Sequence, residues 1–284
     1  MFSAYWGKVL EDDHSVPTDR PLADLTAELT QMLGDPDPYV RDDIAYPTLC
    51  AWIQRGEYDD LLPGLGDGMA AGLRTGLGQS GTDSVFRRSF SALILAECIA
   101  RDTERPLVPG GKVLEWGDRL ASWLLAERDT RGFVPDKGWA HAVAHGADAI
   151  GVLGQSPHVG GAELMVLLDV LGERVVTPVE VPFGAGEPDR LAAATLAVLR
   201  RERIGIDTLE MWLVQLVDGA RKRRRDLTTD PFRYTGTLDA YLRALYLQLA
   251  LGPHPPAVRA DLLLLLVDAL RLLSPHFMGR SAGD

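Results

Sequence analysis

Two histidines spaced four residues apart are the residues of this sequence best suited to chemistry. His141 and His145 lie in the stretch GFVPDKGWAHAVAHGADAIG, residues 132–151. In a helix, side chains at this spacing project from one face about 6 Å apart along the axis. Neutral imidazoles so placed can share a metal ion, transfer protons, or hydrogen-bond neighbouring helices as buried structural groups. Asp148 continues the same face.

A metal ion at these histidines needs a ligand from a second helix. Asp148 lies about 10 Å along the axis from His141, which is too far for one ion bound at about 2 Å. The acidic residues that can be considered as further ligands are Asp42, Asp43, Glu97 and Asp102. We therefore keep His141 and His145 only as candidate metal ligands and assign no cofactor.

The same stretch also has the composition of a ligand-binding surface. Its predicted helix is rich in alanine and glycine, so that a neighbouring helix or a ligand can approach closely. Trp139 offers a flat stacking surface, and Lys137 precedes it at the predicted helix start, where backbone amides favour anions. We predict a binding groove lined by Arg41, Asp42, Tyr46, Arg88, Lys137, Trp139, His141, His145 and Asp148.

The arginines and aspartates of this predicted groove have two interpretations. Arg41, Asp42 and Asp43 stand together in sequence, and Arg87 and Arg88 follow in a later helix. Ion pairs between such residues commonly fix the stacking of neighbouring helical repeats. The alternative is a clamp for an anion or a carboxylate.

The sequence lacks the motifs that are typical of several enzyme classes. The sequence has no P-loop, no HExxH and no paired CxxC. Ser89 and Ser91 lie near arginines, but neither has the strand–turn–helix context of a hydrolase nucleophile. Gly64, Gly66 and Gly68 follow no strand, so we interpret them as helix-packing and turn glycines and not as a dinucleotide-binding motif.

The elements that must position these residues are predicted to be helices throughout. Apolar residues recur at three- and four-residue spacing, as in Leu22, Leu25, Leu29 and Met32, and no stretch alternates with a period of two. Glycine and proline clusters leave about eleven or twelve helices between them. Short connections predict an all-α fold of stacked antiparallel helix pairs, a HEAT-like α-solenoid forming a single domain over residues 1–284.

One segment, residues 28–53, resembles a HEAT repeat. Its sequence, ELTQMLGDPDPYVRDDIAYPTLCAWI, has a leucine-rich helix end, an Asp-Pro pair and then the start of a second helix. Asp35 or Asp37 can cap that second helix. Pro47 falls inside it, where the missing amide should bend the axis.

Three further groups of residues are typical of one protein family. They are Arg41-Asp42 with Tyr46-Pro47-Thr48-Leu49, Phe86 with Arg88-Ser89-Phe90-Ser91, and Lys137-Gly138-Trp139-Ala140-His141 with His145, Ala147 and Asp148. Over most of its length the sequence resembles, on these residues, a family of bacterial proteins of unknown function with HEAT-like helical repeats. The resemblance implies a helical-repeat fold and assigns no catalytic residue.

The net charge and the hydropathy of the sequence argue against nucleic acids and membranes as partners. The net charge of −11 opposes nucleic-acid binding, despite a basic run at residues 221–225 that we interpret as a solvated helix end. The longest apolar run, Leu262 to Val267, is far too short to span a membrane. No signal peptide is evident, and Cys50 and Cys98 fall in apolar helical segments that predict reduced, buried thiols. We predict a cytoplasmic protein.

The combined pattern predicts a non-enzymatic interaction protein whose concave groove binds a protein, a peptide or a small molecule. The alternative is an enzyme, a metal-dependent or acid–base hydrolase that uses His141 and His145. The apolar helix at residues 262–273 has two interpretations, burial in the core or the interface of a homodimer.

Overall fold

The computed structural model describes residues 2–179, 183–223, 230 and 232–278. Within these ranges the regular structure is helical apart from one short β-hairpin, which confirms the all-α prediction. The elements in chain order are α1 (Phe2–Glu11), α2 (Leu22–Met32), a π-helix (Tyr39–Ala45), α3 (Tyr46–Arg55), α4 (Leu62–Gly72), α5 (Ser84–Glu104), α6 (Gly110–Ala126), β1 (Phe133–Val134), β2 (Gly138–Trp139), α7 (Ala142–Gln155), α8 (Gly161–Val176), α9 (Glu187–Leu199), α10 (Ile206–Arg223), α11 (Phe232–Leu251), α12 (Arg259–Leu273) and α13 (Pro275–Met278).

The helices are grouped into two compact units, residues 1–149 and 150–284. The division falls within α7. The first unit holds α1 to α6, the β1–β2 hairpin and the beginning of α7, and the second holds the remaining helices. Whether the chain is one domain, as the sequence predicts, stays a prediction.

Four enclosed tryptophans anchor the core of the first unit. Each ring is buried and donates its indole N–H to a nearby acceptor, which removes the cost of burying an unsatisfied donor. The pairs are Trp6 with Glu28, Trp52 with the His14 carbonyl, Trp116 with Asp67, and Trp123 with Glu127. Around them α5 packs against α3, α4 and α6.

The segment before α3 is a π-helix, where the sequence predicts an α-helix bent at Pro47. Its hydrogen bonds join residues five apart, and the last of them runs from the Tyr46 amide to the Arg41 carbonyl. A regular α-helix begins at Tyr46 with Pro47 in its first turn, a position where no amide is needed. The chain therefore accommodates the proline by changing helix type at its N-terminal side.

The second unit is closed by buried polar contacts between its helices. The hydroxyls of Thr195 on α9 and Tyr241 on α11 are buried and lie 2.7 Å apart. Arg201 closes the C-terminal end of α7 by donating to the carbonyls of Gly154 at 2.6 Å and Ser156 at 3.0 Å. Cation donors suit the unpaired carbonyls of a helix end.

Helix α12 buries one face within the second unit and exposes another. Leu262, Leu266 and Leu270 are buried, whereas Leu264 is 68% exposed. Between α11 and α12 lies an apolar cavity of about 320 Å³, bordered by Leu247 and Leu270. A homodimer through this region stays a prediction.

Two expectations from charge and hydropathy can be followed in the structure. No helix in the described ranges is both long enough and apolar enough to cross a membrane. Arg221 and Lys222, at the end of the described part of α10, are exposed, and whether the helix ends there stays a prediction. Arg224 and Arg225 of the same basic run lie outside the described residues.

Candidate functional site

A short β-hairpin carries Trp139, and α7 begins only after it. Strands β1 and β2 pair antiparallel, and the Lys137 amide donates to the Val134 carbonyl at 3.0 Å across the turn. Pro135 fixes a negative φ at the first turn position and Asp136 has a φ of 62°, as a type II turn requires. The prediction that Lys137 starts a helix is therefore wrong, because Lys137 lies in the hairpin turn.

His141 forms the junction between this hairpin and α7. Its φ of 45° lies in the left-handed region, which histidine adopts more readily than most residues. Its amide donates to the Arg131 carbonyl at 3.1 Å, while its carbonyl accepts from the His145 amide at 2.9 Å and so begins α7. The prediction that the two histidines share one face of a regular helix is therefore wrong. Their rings meet edge to face, with centroids 5.9 Å apart.

Six rings make successive contacts in what we call the aromatic cluster. Its neighbouring centroids are 4.2 to 5.9 Å apart, a range typical of attractive aromatic pairs. In order, the rings are Phe133, Trp139, His141, His145, Phe90 and Tyr46. The outer end is open, with Phe133 58% and Trp139 44% exposed, whereas Phe90 and His145 are buried.

His145 is fixed at the base of the cluster by Ser89. The Ser89 hydroxyl oxygen lies 2.6 Å from Nδ1 of His145 and 2.5 Å from the Ala140 carbonyl oxygen. A carbonyl only accepts, so the hydroxyl proton belongs to Ala140 and Nδ1 of His145 must carry a proton and donate to Ser89. We assign this tautomer from the geometry. In it His145 cannot take the Ser89 proton, which agrees with the missing nucleophile motif.

Arg41 is fully buried and joins three segments of the first unit. Its guanidinium donates to the Asp42 carboxylate at 2.8 and 3.1 Å, and to the carbonyls of Asp35 and Lys137 at 2.8 Å each. It also lies 4.1 Å from the ring centroid of Phe86. Burial raises the pKa of Asp42, and Arg41 partly offsets that rise. The ion pair of Arg41 is thus with its neighbour in sequence and not between helical repeats, and the choice between a packing role and an anion clamp stays open.

Arg88 lies in a separate buried network and does not line the predicted groove. Its guanidinium donates to both carboxylate oxygens of Glu127, at 2.6 and 2.9 Å, and both side chains are fully enclosed. Glu127 also accepts from the indole of Trp123 at 3.0 Å. The pair holds α5 against the end of α6. Arg87 lies instead against Gly34, at the end of α2.

Helices α3 and α5 present side chains next to the inner end of the cluster. Tyr46, Cys50 and Gln54 follow one another at intervals of four along α3, while Phe90 and Glu97 are seven apart on α5, so each set shares a helical face. The two faces touch, because the Gln54 amide donates to Glu97 at 3.3 Å. Cys50 and Gln54 were not predicted as part of the site.

Burial and nearby acidic groups raise the pKa values of Tyr46 and Cys50 at the inner end of the cluster. Asp148 is the member of residues 142–149 in α7 that is not buried. Burial raises the pKa of the Tyr46 phenol above its usual range, and Cys50, Glu97 and Asp148 raise it further. Burial and then Glu97 raise the pKa of the Cys50 thiol to about 12. An anion is therefore disfavoured at this end of the cluster.

The described part of the chain does not assemble a metal site from the candidate ligands. Nowhere in it do three side chains of histidine, cysteine, aspartate or glutamate converge as an ion would require. Asp102, one of the acidic residues considered, is buried and accepts from the amides of Leu107 and Val108 at 2.7 Å each. Its role is to close the end of α5.

Fold and site together define an all-α protein with an aromatic and acidic surface in its first unit. Residues 73–247, more than half of the chain, match the family described as protein of unknown function, DUF2785, and the chain belongs to that family. This confirms the predicted relation to a family of unknown function. No curated protein and no solved structure matches the chain. The matched segment includes Glu97, His145 and Asp148, whereas Tyr46 precedes it.

Proposed function

We propose that this protein is a non-enzymatic ligand-binding protein and that the aromatic cluster is its binding surface. The observation that carries the proposal is the stack of Trp139 on His141, whose rings lie 4.2 Å apart at an interplanar angle of 25°. Trp139 is nevertheless 44% exposed, so it offers ring surface to a ligand. Exposed aromatic rings held in one position are typical of binding sites.

The supports of this stack favour a preformed surface. The hairpin turn that carries Trp139 is tied to the core by Arg41, through the Lys137 carbonyl, and by the Lys137 ammonium, which contacts both oxygens of Asp83 at 2.7 and 2.8 Å. His141 is fixed by two backbone hydrogen bonds. A surface that is ordered before binding loses little conformational entropy on binding. It suits a flat apolar group of a small molecule or a peptide side chain.

We further propose that the helix pairs behind this surface are HEAT-like repeats. In such stacks each helix packs against the corresponding helix of the next pair, two elements along the chain. Within the first unit α3 packs on α5 and α4 on α6, and within the second α8 packs on α10, α9 on α11 and α10 on α12. This pattern supports the repeat architecture.

The alternative of a hydrolase that uses His141 and His145 receives less support. Ser89, the hydroxyl nearest to His145, is fully buried and donates to a carbonyl. A nucleophile needs both access to substrate and a base that accepts its proton. The cytoplasmic location remains a prediction.

The proposal is tested by saturation-transfer NMR with three small aromatic probes, 2-phenylethylamine, 2-phenylethanol and phenylacetate. We expect at least one probe to receive saturation from the wild-type protein and to lose it with Trp139→Ala. The control is Phe232→Ala, which removes an aromatic ring that is 66% exposed in the second unit and should leave the signal unchanged. Melting temperatures of all three proteins show whether they are folded.

The proposal is overturned if none of the three probes receives saturation from the wild-type protein. It is equally overturned if a folded Trp139→Ala variant binds every probe as the wild type does.

A further inference from the structure

Three leucines on the last pair of long helices in the second unit are exposed to solvent. Leu247 and Leu251 on α11 are 55% and 81% exposed, and Leu264 on α12 is 68% exposed. Helices α11 and α12 pack against each other, so these side chains belong to neighbouring elements. Soluble monomers seldom expose large apolar side chains in groups, and such a group commonly marks a binding surface.

The same leucines surround the apolar cavity between α11 and α12. Leu247 and Val267 line this cavity, which has a volume of about 320 Å³. Leu251 is one turn from Leu247, and Leu264 is one turn from Val267, so both stand beside the cavity. A cavity of about 150 Å³ is enough for one benzene molecule, and this larger one can therefore receive a leucine side chain. Protruding leucines and a cavity that fits them thus occur together.

The place of α11 and α12 in the stack of helices leaves this surface without a neighbour in the described part of the chain. Helix α11 packs on α9 and α12 packs on α10, each two elements earlier. A further pair of helices would pack on α11 and α12 in the same way, and helix stacks normally end in a pair with a polar outer face. Of the described elements, only the four-residue α13 follows α12.

The charged side chains beside the leucines are paired within the chain. Arg243, which also lines the cavity, contacts Asp239 at 2.6 Å, and Arg271 contacts Asp268 at 3.1 Å. Each pair is neutral. A second copy that carries the same pairs can therefore approach this surface without the like-charge repulsion that the net charge of −11 produces elsewhere.

The surface has about the size that a dimer requires. Helix α11 has 20 residues and α12 has 15, which corresponds to lengths of about 30 and 22 Å. Two such helices side by side are about 20 Å wide, so their outer face covers roughly 440–600 Å² in projection. The accessible surface of protruding side chains exceeds the projection and approaches the value of about 800 Å² that each partner contributes to a standard interface.

A surface that has both a cavity and the side chains to fill it is complementary to itself. In a two-fold dimer the same surface of both copies meets, so that a leucine of each copy can enter the cavity of the other. We propose that this protein forms a homodimer through α11 and α12, with Leu264 of each copy packed at the cavity of the second copy. The aromatic cluster belongs to the first unit, so this inference does not rest on the proposed function.

Sedimentation velocity of the full chain tests the proposal. Interfaces of standard size have dissociation constants in the micromolar range or below, so at about 50 µM we expect the wild-type protein to sediment mainly as a dimer. Leu264→Glu and Leu247→Glu each place a charge in the interface of both copies. We expect the dissociation constant to rise at least about a hundredfold in each variant.

The matched control is Val166→Glu on α8. It introduces the same charge at an apolar side chain that is 55% exposed, but outside α11 and α12, and should leave the dimer unchanged. Melting curves followed by circular dichroism show whether all three variants are folded.

Three results would overturn the proposal. The first is a wild-type protein that sediments as a monomer at that concentration, whether or not another molecule then binds to α11 and α12. The second is a dimer that persists in folded Leu264→Glu and Leu247→Glu, because the copies would then associate through a different surface. The third is an equal loss of the dimer in folded Val166→Glu, which would mean that the added charge and not its position is responsible.

Discussion

The hydroxyl oxygen of Ser89 lies 2.6 Å from Nδ1 of His145, although the two residues are 56 positions apart in the sequence. The contact ties the second turn of α5 to the first turn of α7 beneath the aromatic cluster. Because Ser89 donates to the Ala140 carbonyl, His145 has to be the donor in this pair. One serine thus fixes both the position and the tautomer of the histidine.

Removal of the Ser89 hydroxyl should destabilise the protein. In Ser89→Ala the buried Nδ1–H of His145 loses its acceptor, and we expect the free energy of unfolding to fall by about 1–3 kcal/mol. Urea denaturation followed by tryptophan fluorescence measures the change, because five of the six tryptophans belong to the first unit.

The matched control for that variant is Ser91→Ala in the same helix. The Ser91 hydroxyl is buried and has no hydrogen-bond partner in the described structure, so its removal should leave stability unchanged or increase it. Equal losses in the two variants would contradict the assigned role of Ser89.

The tautomer of His145 is a separate prediction. We expect ¹⁵N–¹H correlation spectra of the imidazole at pH 7.5 to show a proton on Nδ1. In Ser89→Ala the preference for this tautomer should weaken, because its acceptor is gone. A wild-type spectrum with the proton on Nε2 would mean that Ser89 donates to His145 instead.

The buried pair of Arg88 and Glu127 should be costly to break from one side. Arg88→Met leaves the Glu127 carboxylate enclosed without its counter-charge, and we expect a loss of about 3–5 kcal/mol in the free energy of unfolding. Arg119→Met is the control, since Arg119 pairs with Glu115 on the exposed face of α6, where solvent screening leaves such a pair with little effect on stability. Losses of similar size in both variants would show that burial does not distinguish the pairs.

Two glycines of α4 should respond differently to the same substitution. An alanine at Gly66 would place its methyl group against the ring of Trp116, whereas nothing lies within 4 Å of such a group at Gly68. We expect Gly66→Ala to lower the free energy of unfolding by about 1–3 kcal/mol. Gly68→Ala should raise it by up to about 1 kcal/mol, because alanine favours the helix. Thermal or urea denaturation of the two variants measures both changes. Equal effects at the two positions would show that the contact with Trp116 does not limit the residue at position 66.

The cysteines should be nearly unreactive in the folded protein. A pKa of about 12 for Cys50 leaves a thiolate fraction of about one in ten thousand at pH 8. Cys98 is fully buried, and burial also raises the pKa of its thiol. We expect a colorimetric disulfide reagent at pH 8 to label neither thiol within minutes and to label both in urea. Rapid labelling of one thiol in the native protein would mean that Cys50 is more open than this structure shows.

The helices could be predicted because their signals are local. Apolar spacing marked α2, α5 and α10, and Asp37 accepts a hydrogen bond from the Tyr39 amide at 2.9 Å, as a capping aspartate should. The hairpin at residues 133–139 was missed because its strands are only two residues long and show no alternation. Pro135-Asp136 followed by Gly138 was the available signal, since this combination favours a turn.

The site was predicted in part, and the position of Arg88 shows one reason for the errors. His141, His145 and Trp139 do come together, because they are close in sequence. Arg88 was misplaced because its partner, Glu127, is 39 residues away, and burial of a charge depends on that distant partner. No local pattern reports such a pairing.

The π-helix at residues 39–45 determines which side chains reach the ring of Phe90. Arg41 and Tyr46 both contact the ring of Phe90, at 5.0 and 5.9 Å, although an α-helix would turn residues five apart about 140° away from each other. The five-residue hydrogen-bond period brings them to the same side. A relative that is one residue shorter in this segment would lose the pairing while keeping both side chains. A single-residue deletion in this segment would therefore change the contacts of Phe90 without changing any of the three side chains.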